Sequence, residues 1–260
     1  MSQPTEPSTD QAPDKTIRWH PLLAVLLVII LYYAAQFAAS LLVSLFAYAH
    51  HWSNQQATDW LDKSVGAQFV YILLAEAFTL GGVWAFLRAY RSNFLTIGLR
   101  RPKPSDVVYG LMAAPVYYVL YLLTVGVVSH FVHGFDVNQQ QNIGFNDVHG
   151  VAALILTFIS LVILPPITEE ILVRGFLYGS LKKALPLVWA ALATSVMFAI
   201  AHLPEGGSSG PLYIAALDTF VLSLVLIYLR EKTGGLWASI TLHAIKNGVA
   251  FLALFILHLS

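Results

Sequence analysis

Residues 150–182 read GVAALILTFISLVILPPITEEILVRGFLYGSLK, an apolar stretch of 33 residues that contains two prolines, two adjacent glutamates and one arginine. As one straight helix it would be roughly 50 Å long, more than a hydrocarbon core of about 30 Å requires. Pro165-Pro166 supplies a natural kink or break, because proline removes a backbone donor and clashes with the preceding turn. Charged side chains are costly inside a bilayer, so Glu169, Glu170 and Arg174 mark a candidate functional site within a membrane-embedded helix.

The composition of the whole chain agrees with a membrane protein. Of its 260 residues, 57% are hydrophobic and only 11% are charged, and the mean hydropathy is +0.69. Soluble chains have about 25% charged residues. The apolar runs show no alternation of period two, so we predict an all-α, polytopic transmembrane helical bundle rather than a barrel. The zero formal charge indicates no nucleic-acid partner, and the absence of cysteine excludes disulfides, thiolate catalysis and thiolate metal ligands.

The apolar runs predict about seven membrane spans, or eight if 150–182 divides at its prolines. We place the spans at 21–49, 66–90, 105–131, 150–182, 186–203, 211–229 and 235–258. The polar tail 1–19 is predicted to be disordered, and 20–260 to form a single membrane-embedded domain. Lysine and arginine are concentrated in alternate connectors, whereas 50–65, 132–149 and 204–210 contain only Lys63. This pattern predicts a multi-pass protein of the cell membrane with a cytoplasmic N-terminus and an external C-terminus.

The two adjacent glutamates are predicted to have different partners. Neighbouring side chains on a helix diverge by about 100°. Glu170 and Arg174 are four residues apart, the spacing of an ion pair along one helix face, and this pair can be purely structural. Glu169 has valine at the corresponding position, so its partner must come from another helix, a bound cation or a proton. Glu169 is therefore a candidate general base.

Later spans contain further polar groups. His202 follows an apolar helix end, while His243 and Asn247 are four residues apart on one face of the last span. Counted at ~1.5 Å per residue from the cytoplasmic ends, Glu169 lies about 20 Å deep, His202 about 24 Å and His243 about 12 Å. Tilting and boundary error absorb this spread, so the groups can meet inside the membrane. Such a set matches the requirements of a water-activating or metal-binding site.

Two more acids lie inside predicted spans, Glu76 in the second and Asp218 in the sixth. Neither has a motif around it. Each can pair with a basic or hydroxyl group on a neighbouring helix or remain protonated, and we give each a minor expectation of belonging to the site.

Three motifs in order resemble a known family. Glu169-Glu170-x-x-x-Arg174, Phe198-x-x-x-His202 and His243-x-x-x-Asn247 are similar to the signature motifs of type II CAAX prenyl proteases. This group is also called the CPBP intramembrane metalloproteases, and it includes bacteriocin-processing and self-immunity members. The resemblance covers about 150–250, and the remainder matches only as membrane spans.

The resemblance implies an intramembrane endopeptidase acting on membrane-associated peptide or protein substrates. It implies that Glu169, assisted by His202, activates a water, and that His243 and Asn247 stabilise the oxyanion or bind a metal. Glu170 and Arg174 would organise the site. A divalent metal, zinc in the first instance, would have Glu169, His202 and His243 as ligands; alternatively, Glu169 and His202 alone hold the water.

Two other classes of protein remain open. The runner-up is a non-catalytic bacteriocin-immunity or partner-binding membrane protein, in which the same cluster stabilises the bundle. A cation or proton transporter is less favoured, because the polar groups lie on three helices and no inverted repeat is visible.

Overall fold

The computed structural model describes residues 17–258, and within this range the secondary structure consists of helices, with no strand. We number the main helices α1 (Pro21–Ala49), α2 (Asn54–Lys63), α3 (Val65–Ala89), α4 (Pro104–Phe131), α5 (Gly150–Leu181), α6 (Leu187–Ala201), α7 (Tyr213–Thr233) and α8 (Trp237–Phe251). A 3₁₀ segment, Leu203–Ser209, follows α6, and a π segment, Leu252–Ile256, continues α8. All except α2 are long and apolar enough to cross a membrane, alone or with these extensions, which gives seven spans among the described residues. The predicted all-α polytopic bundle is confirmed; the predicted direction of insertion stays a prediction.

Local sequence signals explain where several helices begin and end. The His20 ring accepts a hydrogen bond from the Leu22 N–H at the start of α1. Ser53 and Gln56 form a capping box at the start of α2, and Ser64 caps α3. After α7, Gly234 adopts the left-handed conformation with φ 65°, which glycine tolerates better than other residues.

The long helix α5 is one helical run, so the eight-span alternative is not observed. It contains two π segments, Ile159–Ile163 and Glu170–Leu177. The first lies immediately before Leu164, Pro165 and Pro166. Since each proline lacks an N–H, the local change of hydrogen-bond register lets the helix pass the prolines without dividing.

Helix α5 packs against α1, α3, α6, α7 and α8, so the charged motif lies in the interior of the bundle. Helix α1 also packs along α3, and α4 packs against α7 and α8. The contact between α4 and α8 is close at Gly110, where an added Cβ would lie 2.6 Å from Cβ of Thr241.

The predicted disordered tail, 1–19, lies outside the described residues except for its last three. Trp19, the final tail residue, is buried. Its ring stacks on Phe176 with centroids 5.3 Å apart, and its Nε1 donates a 2.7 Å hydrogen bond to Oγ of Ser180. The packed part of the chain therefore includes Trp19, two residues before α1.

Candidate active site

A closed charge centre joins α5 to α8. Nη1 of Arg174 donates to Oε1 of Glu170 over 2.9 Å, and Nδ1 of His243 lies 3.0 Å from the same oxygen. The Glu170 and Arg174 side chains are 0% exposed, and His243 is 5% exposed. The guanidinium carbon of Arg174 also lies 4.1 Å from the ring centroid of Phe198, a cation–π contact. The predicted pairing of Glu170 with Arg174 is therefore observed, and the pair also orients an imidazole.

This hydrogen bond determines which nitrogen of His243 faces the cavity. A carboxylate oxygen only accepts, so Nδ1 carries the hydrogen that points to Glu170. Nε2 then has its lone pair free, and it lies 3.8 Å from Oε2 of Glu169. That separation exceeds a hydrogen bond, and among the described residues Oε2 of Glu169 has no hydrogen-bond partner. Oε2 of Glu170 also has no hydrogen-bond partner among these residues, so the two acids differ in the Arg174 pair of Glu170 and in the cavity beside Glu169.

His202 is oriented by its own helix. Its Nδ1 lies 2.7 Å from the carbonyl oxygen of Phe198, one turn earlier, so Nδ1–H is the donor. The Nε2 atom is left free to accept, and it lies 3.8 Å from Oε1 of Glu205. His202 therefore presents an accepting nitrogen to the interior, as a water-holding base requires.

Asn247 donates a hydrogen bond to a backbone carbonyl that the double proline leaves without its usual donor. Its Nδ2 donates a 2.9 Å hydrogen bond to the carbonyl oxygen of Leu161. In a helix this carbonyl would accept from the residue four or five positions later, but those positions are Pro165 and Pro166, which have no N–H. Asn247 supplies the missing donor, and one amide hydrogen remains for another acceptor.

The predicted site residues meet at one cavity of about 260 Å³. Its wall includes four of the six predicted residues, namely Glu169, His202, His243 and Asn247. The other two do not line the cavity: Glu170 bonds to His243, and Arg174 pairs with Glu170. The structure thus divides the predicted set into residues facing the cavity and residues supporting it.

Glu169 also borders two further cavities. One, of about 370 Å³, is mainly apolar and lies between α1 and α6, with Tyr32, Met197 and His202 in its wall. The other, of about 220 Å³, is lined by Glu76, Gln36 and other residues of α1, α3 and α5. Glu76 therefore lies near Glu169 but faces a different cavity from the histidines.

Two residues of the cavity wall were not identified by the sequence reasoning. Lys246 lies between His243 and Asn247 in the sequence, and Glu205 lies three residues after His202. Both are ionisable residues in or beside an apolar run, so the criterion that selected Glu169 could have selected them. Nζ of Lys246 lies 3.0 Å from Oδ2 of Asp218, which gives that acid the basic partner considered above.

The cavity contains side chains of the types that bind a divalent metal ion. The accepting nitrogens of His202 and His243 and a carboxylate oxygen of Glu169 are donor types that zinc binds. In the range 17–258, however, no three His, Asp or Glu side chains are arranged closely enough to hold one ion. The observed arrangement does not fit a preformed metal centre, so no chemical step below depends on one.

The chain was compared with known proteins. Residues 151–249, which contain all three motifs, match the family described as type II CAAX prenyl endopeptidase Rce1-like. A relative from Bacillus subtilis strain 168, described as "Putative membrane peptidase YdiL", is 24% identical over 223 residues, or 85% of this chain and 84% of the relative. No solved structure matches the chain. The similarity thus extends to membrane peptidases; the bacteriocin-related branch stays a prediction.

Proposed function

We propose that this multi-pass membrane protein is an intramembrane endopeptidase that hydrolyses peptide bonds of membrane-associated peptides or proteins. The main support is the meeting of Glu169, His202, His243 and Asn247, from α5, the end of α6 and α8, at one cavity inside the bundle. The similarity of 151–249 to a family of endopeptidases agrees with this function.

In the proposed reaction, Glu169 is the general base. A water between Glu169 and Nε2 of His202 would donate to both, since both atoms are acceptors. The water oxygen would then direct a lone pair at the substrate carbonyl, and Glu169 would take the proton as the carbon–oxygen bond forms. Glu169 then returns that proton to the amide nitrogen, and the carbon–nitrogen bond breaks as the carbonyl re-forms.

The negative charge on the carbonyl oxygen requires donors. Asn247 retains one N–H after its bond to Leu161. His243 has no N–H on the cavity side while it is neutral, but its protonated form would donate through Nε2. Asn247 is therefore the donor that needs no added proton, whereas Nε2 of His243, 3.8 Å from Oε2 of Glu169, would need one.

The residues that line the cavities beside Glu169 indicate the class of substrate. The apolar cavity between α1 and α6 reaches Glu169 and His202, which suits an apolar segment arriving from the bilayer. The family name refers to prenylated CAAX proteins, but nothing in the site of this chain requires a prenyl group, and we do not extend that substrate to it.

The test is cleavage by purified protein in proteoliposomes supplied with a library of apolar peptides. Glu169→Gln keeps the shape of the side chain but removes the base, so the cleavage rate should fall about 10³-fold. Glu231→Gln is the matched control and should retain normal activity, because Glu231 is partly exposed and pairs with Lys182 outside the cavity. Equal cleavage by Glu169→Gln and the unmodified chain would contradict the role of Glu169 as the base. The absence of cleavage by either protein would favour the non-catalytic partner-binding alternative.

Zinc remains a separate prediction for the same site. If a metal participates, the purified protein should contain about one zinc per chain by elemental analysis, and a chelator should remove both metal and activity. His243→Ala should then lower the metal content as well as the rate. Full cleavage activity after complete removal of metal would rule out the metal-dependent version.

A further inference from the structure

The cavity that contains the proposed catalytic residues has a fixed positive charge in its wall. Lys246 of α8 lines the same cavity as Glu169, His202 and His243. It is the one lysine or arginine among the lining residues of this cavity, and its side chain is 21% exposed. No step of the hydrolysis proposed above is assigned to this ammonium.

Two other helices hold the Lys246 side chain. Nζ of Lys246 lies 3.0 Å from Oδ2 of Asp218 on α7, and the phenol of Tyr117 on α4 donates to the other oxygen of Asp218. Both carboxylate oxygens are therefore engaged, and the ammonium is kept at one place in the wall. An ammonium has three N–H donors, and Asp218 accepts from one of them, which leaves donors for a ligand in the cavity.

The anchored ammonium is close to the reacting groups along the chain. Lys246 is three residues after His243 and one before Asn247, so its Cα lies about 4.5 Å along the helix axis from that of His243. An extended peptide advances roughly 3.3 Å per residue. A substrate group bound by Lys246 would thus belong to a residue within the first few positions beside the scissile bond.

The other charges of the cavity favour a negative ligand group at this place only. Glu169 and Glu205 are also in the wall, and Oε2 of Glu205 is held by Nε2 of Gln141 over 2.6 Å. A substrate carboxylate would be repelled near either glutamate. At Lys246 it would meet an ammonium that already pairs with Asp218 and that has further N–H groups to donate. The part of the wall formed by Phe251, Leu254 and Phe255 is apolar and can accommodate apolar side chains.

We propose that Lys246, held in place by Asp218 and Tyr117, is a specificity-determining residue that binds a carboxylate of the substrate close to the scissile bond. The carboxylate belongs to the C-terminus of the peptide or to an acidic side chain. This inference rests on the proposed function for its meaning, but binding can be measured apart from cleavage.

The experiment measures binding to the Glu169→Gln protein in nanodiscs, where cleavage is suppressed. The probe is a fluorescent apolar tetrapeptide in three forms: a free C-terminal carboxylate, a C-terminal amide, and an amide with one internal glutamate. At least one carboxylate form should bind about tenfold more tightly than the plain amide, because a charge-assisted hydrogen bond is gained. The form that shows the gain identifies the source of the carboxylate.

The variants separate recognition from structure. Lys246→Met should remove the preference for the carboxylate while leaving the affinity for the plain amide nearly unchanged, and Lys246→Arg should retain the preference. Lys182→Met, the same change at the surface lysine paired with Glu231, is the control and should alter nothing. A preference that persists in Lys246→Met, or an equal loss of affinity for all three peptides, would overturn the proposal.

The experiment still tests the proposal if Lys246→Met does not fold or if the unmodified chain does not cleave the peptides. If Lys246→Met does not fold, equal binding of all three peptides to the Glu169→Gln protein still overturns the proposal. If the unmodified chain shows the preference that Lys246 explains but cleaves none of the peptides, the carboxylate subsite is supported and the proposed peptidase function is contradicted.

Discussion

The charged residues of α5 have different surroundings: one group is enclosed in the bundle, and Glu169 faces cavities. The closed centre of Glu170, Arg174 and His243 is shielded from solvent, and the charges within it compensate one another. One residue earlier, Glu169 is 30% exposed and faces cavities, with its nearest basic atom at 3.8 Å. Adjacent glutamates therefore have different consequences for the protein: one is part of its internal framework, and the other is available for chemistry.

The difference has a simple physical origin. A buried charge must be paired and hydrogen-bonded, or it destabilises the fold. A charge at a cavity can be solvated, so it can remain without a protein partner and react. Substitutions of Glu170 or Arg174 should therefore reduce stability, whereas substitution of Glu169 should reduce activity at nearly constant stability.

The largest effect on stability is expected for Arg174→Met. Removing the guanidinium leaves the buried Glu170 carboxylate without its cation, so the free energy of unfolding should fall by about 3–5 kcal/mol. Reversible unfolding in an SDS titration measures this change. Arg88→Met, the same substitution at an exposed arginine of α3, is the control. If Glu169→Gln destabilises the protein as much as Arg174→Met does, the contrast between the two sides of α5 is wrong.

A smaller effect is expected for Asn247→Leu. This change leaves the Leu161 carbonyl without its donor, because the prolines that follow cannot replace it. The free energy of unfolding should fall by about 1–2 kcal/mol, as for other polar contacts between membrane helices. Asn247→Asp, which cannot donate while ionised, should resemble Asn247→Leu in this measurement. Unchanged stability in both variants would show that the carbonyl finds another partner.

The smallest effect is expected for Lys182→Gln. Lys182 pairs with Glu231, but both side chains are partly exposed, so solvent screens the attraction. The free energy of unfolding should change by about 0–1 kcal/mol. A loss comparable to that of Arg174→Met would mean that exposure does not separate structural from dispensable charges in this protein.

Much of the fold could be predicted because membrane spans depend on local composition. The predicted first span, 21–49, coincides with α1, and the predicted 105–131 differs from α4 by one residue. The pairing of Glu170 with Arg174 was also predictable, since a spacing of four residues is a property of one helix. The burial of Trp19 was not predictable, because its partners Phe176 and Ser180 belong to α5, which is distant from Trp19 in the sequence.

The candidate site was predictable in its members but not in their contacts. Each of the histidines and Asn247 could be selected as a polar residue in an apolar run. The sequence does not indicate that His243 would bond to Glu170, that Asn247 would compensate for the prolines, or that Lys246 would share the cavity. Those contacts depend on the rotation and depth of α8 relative to α5, which hydropathy does not determine.

The amino-acid sequence by itself determined that this chain is helical and membrane-spanning, and that ionisable groups are concentrated in three of its segments. It did so because the energy of placing side chains in a bilayer is a property of each residue. Only the tertiary structure decided which charge is enclosed, which faces a cavity, and which side chains meet. Those outcomes depend on how the helices pack, and the packing brings together residues 73 positions apart, such as Glu170 and His243.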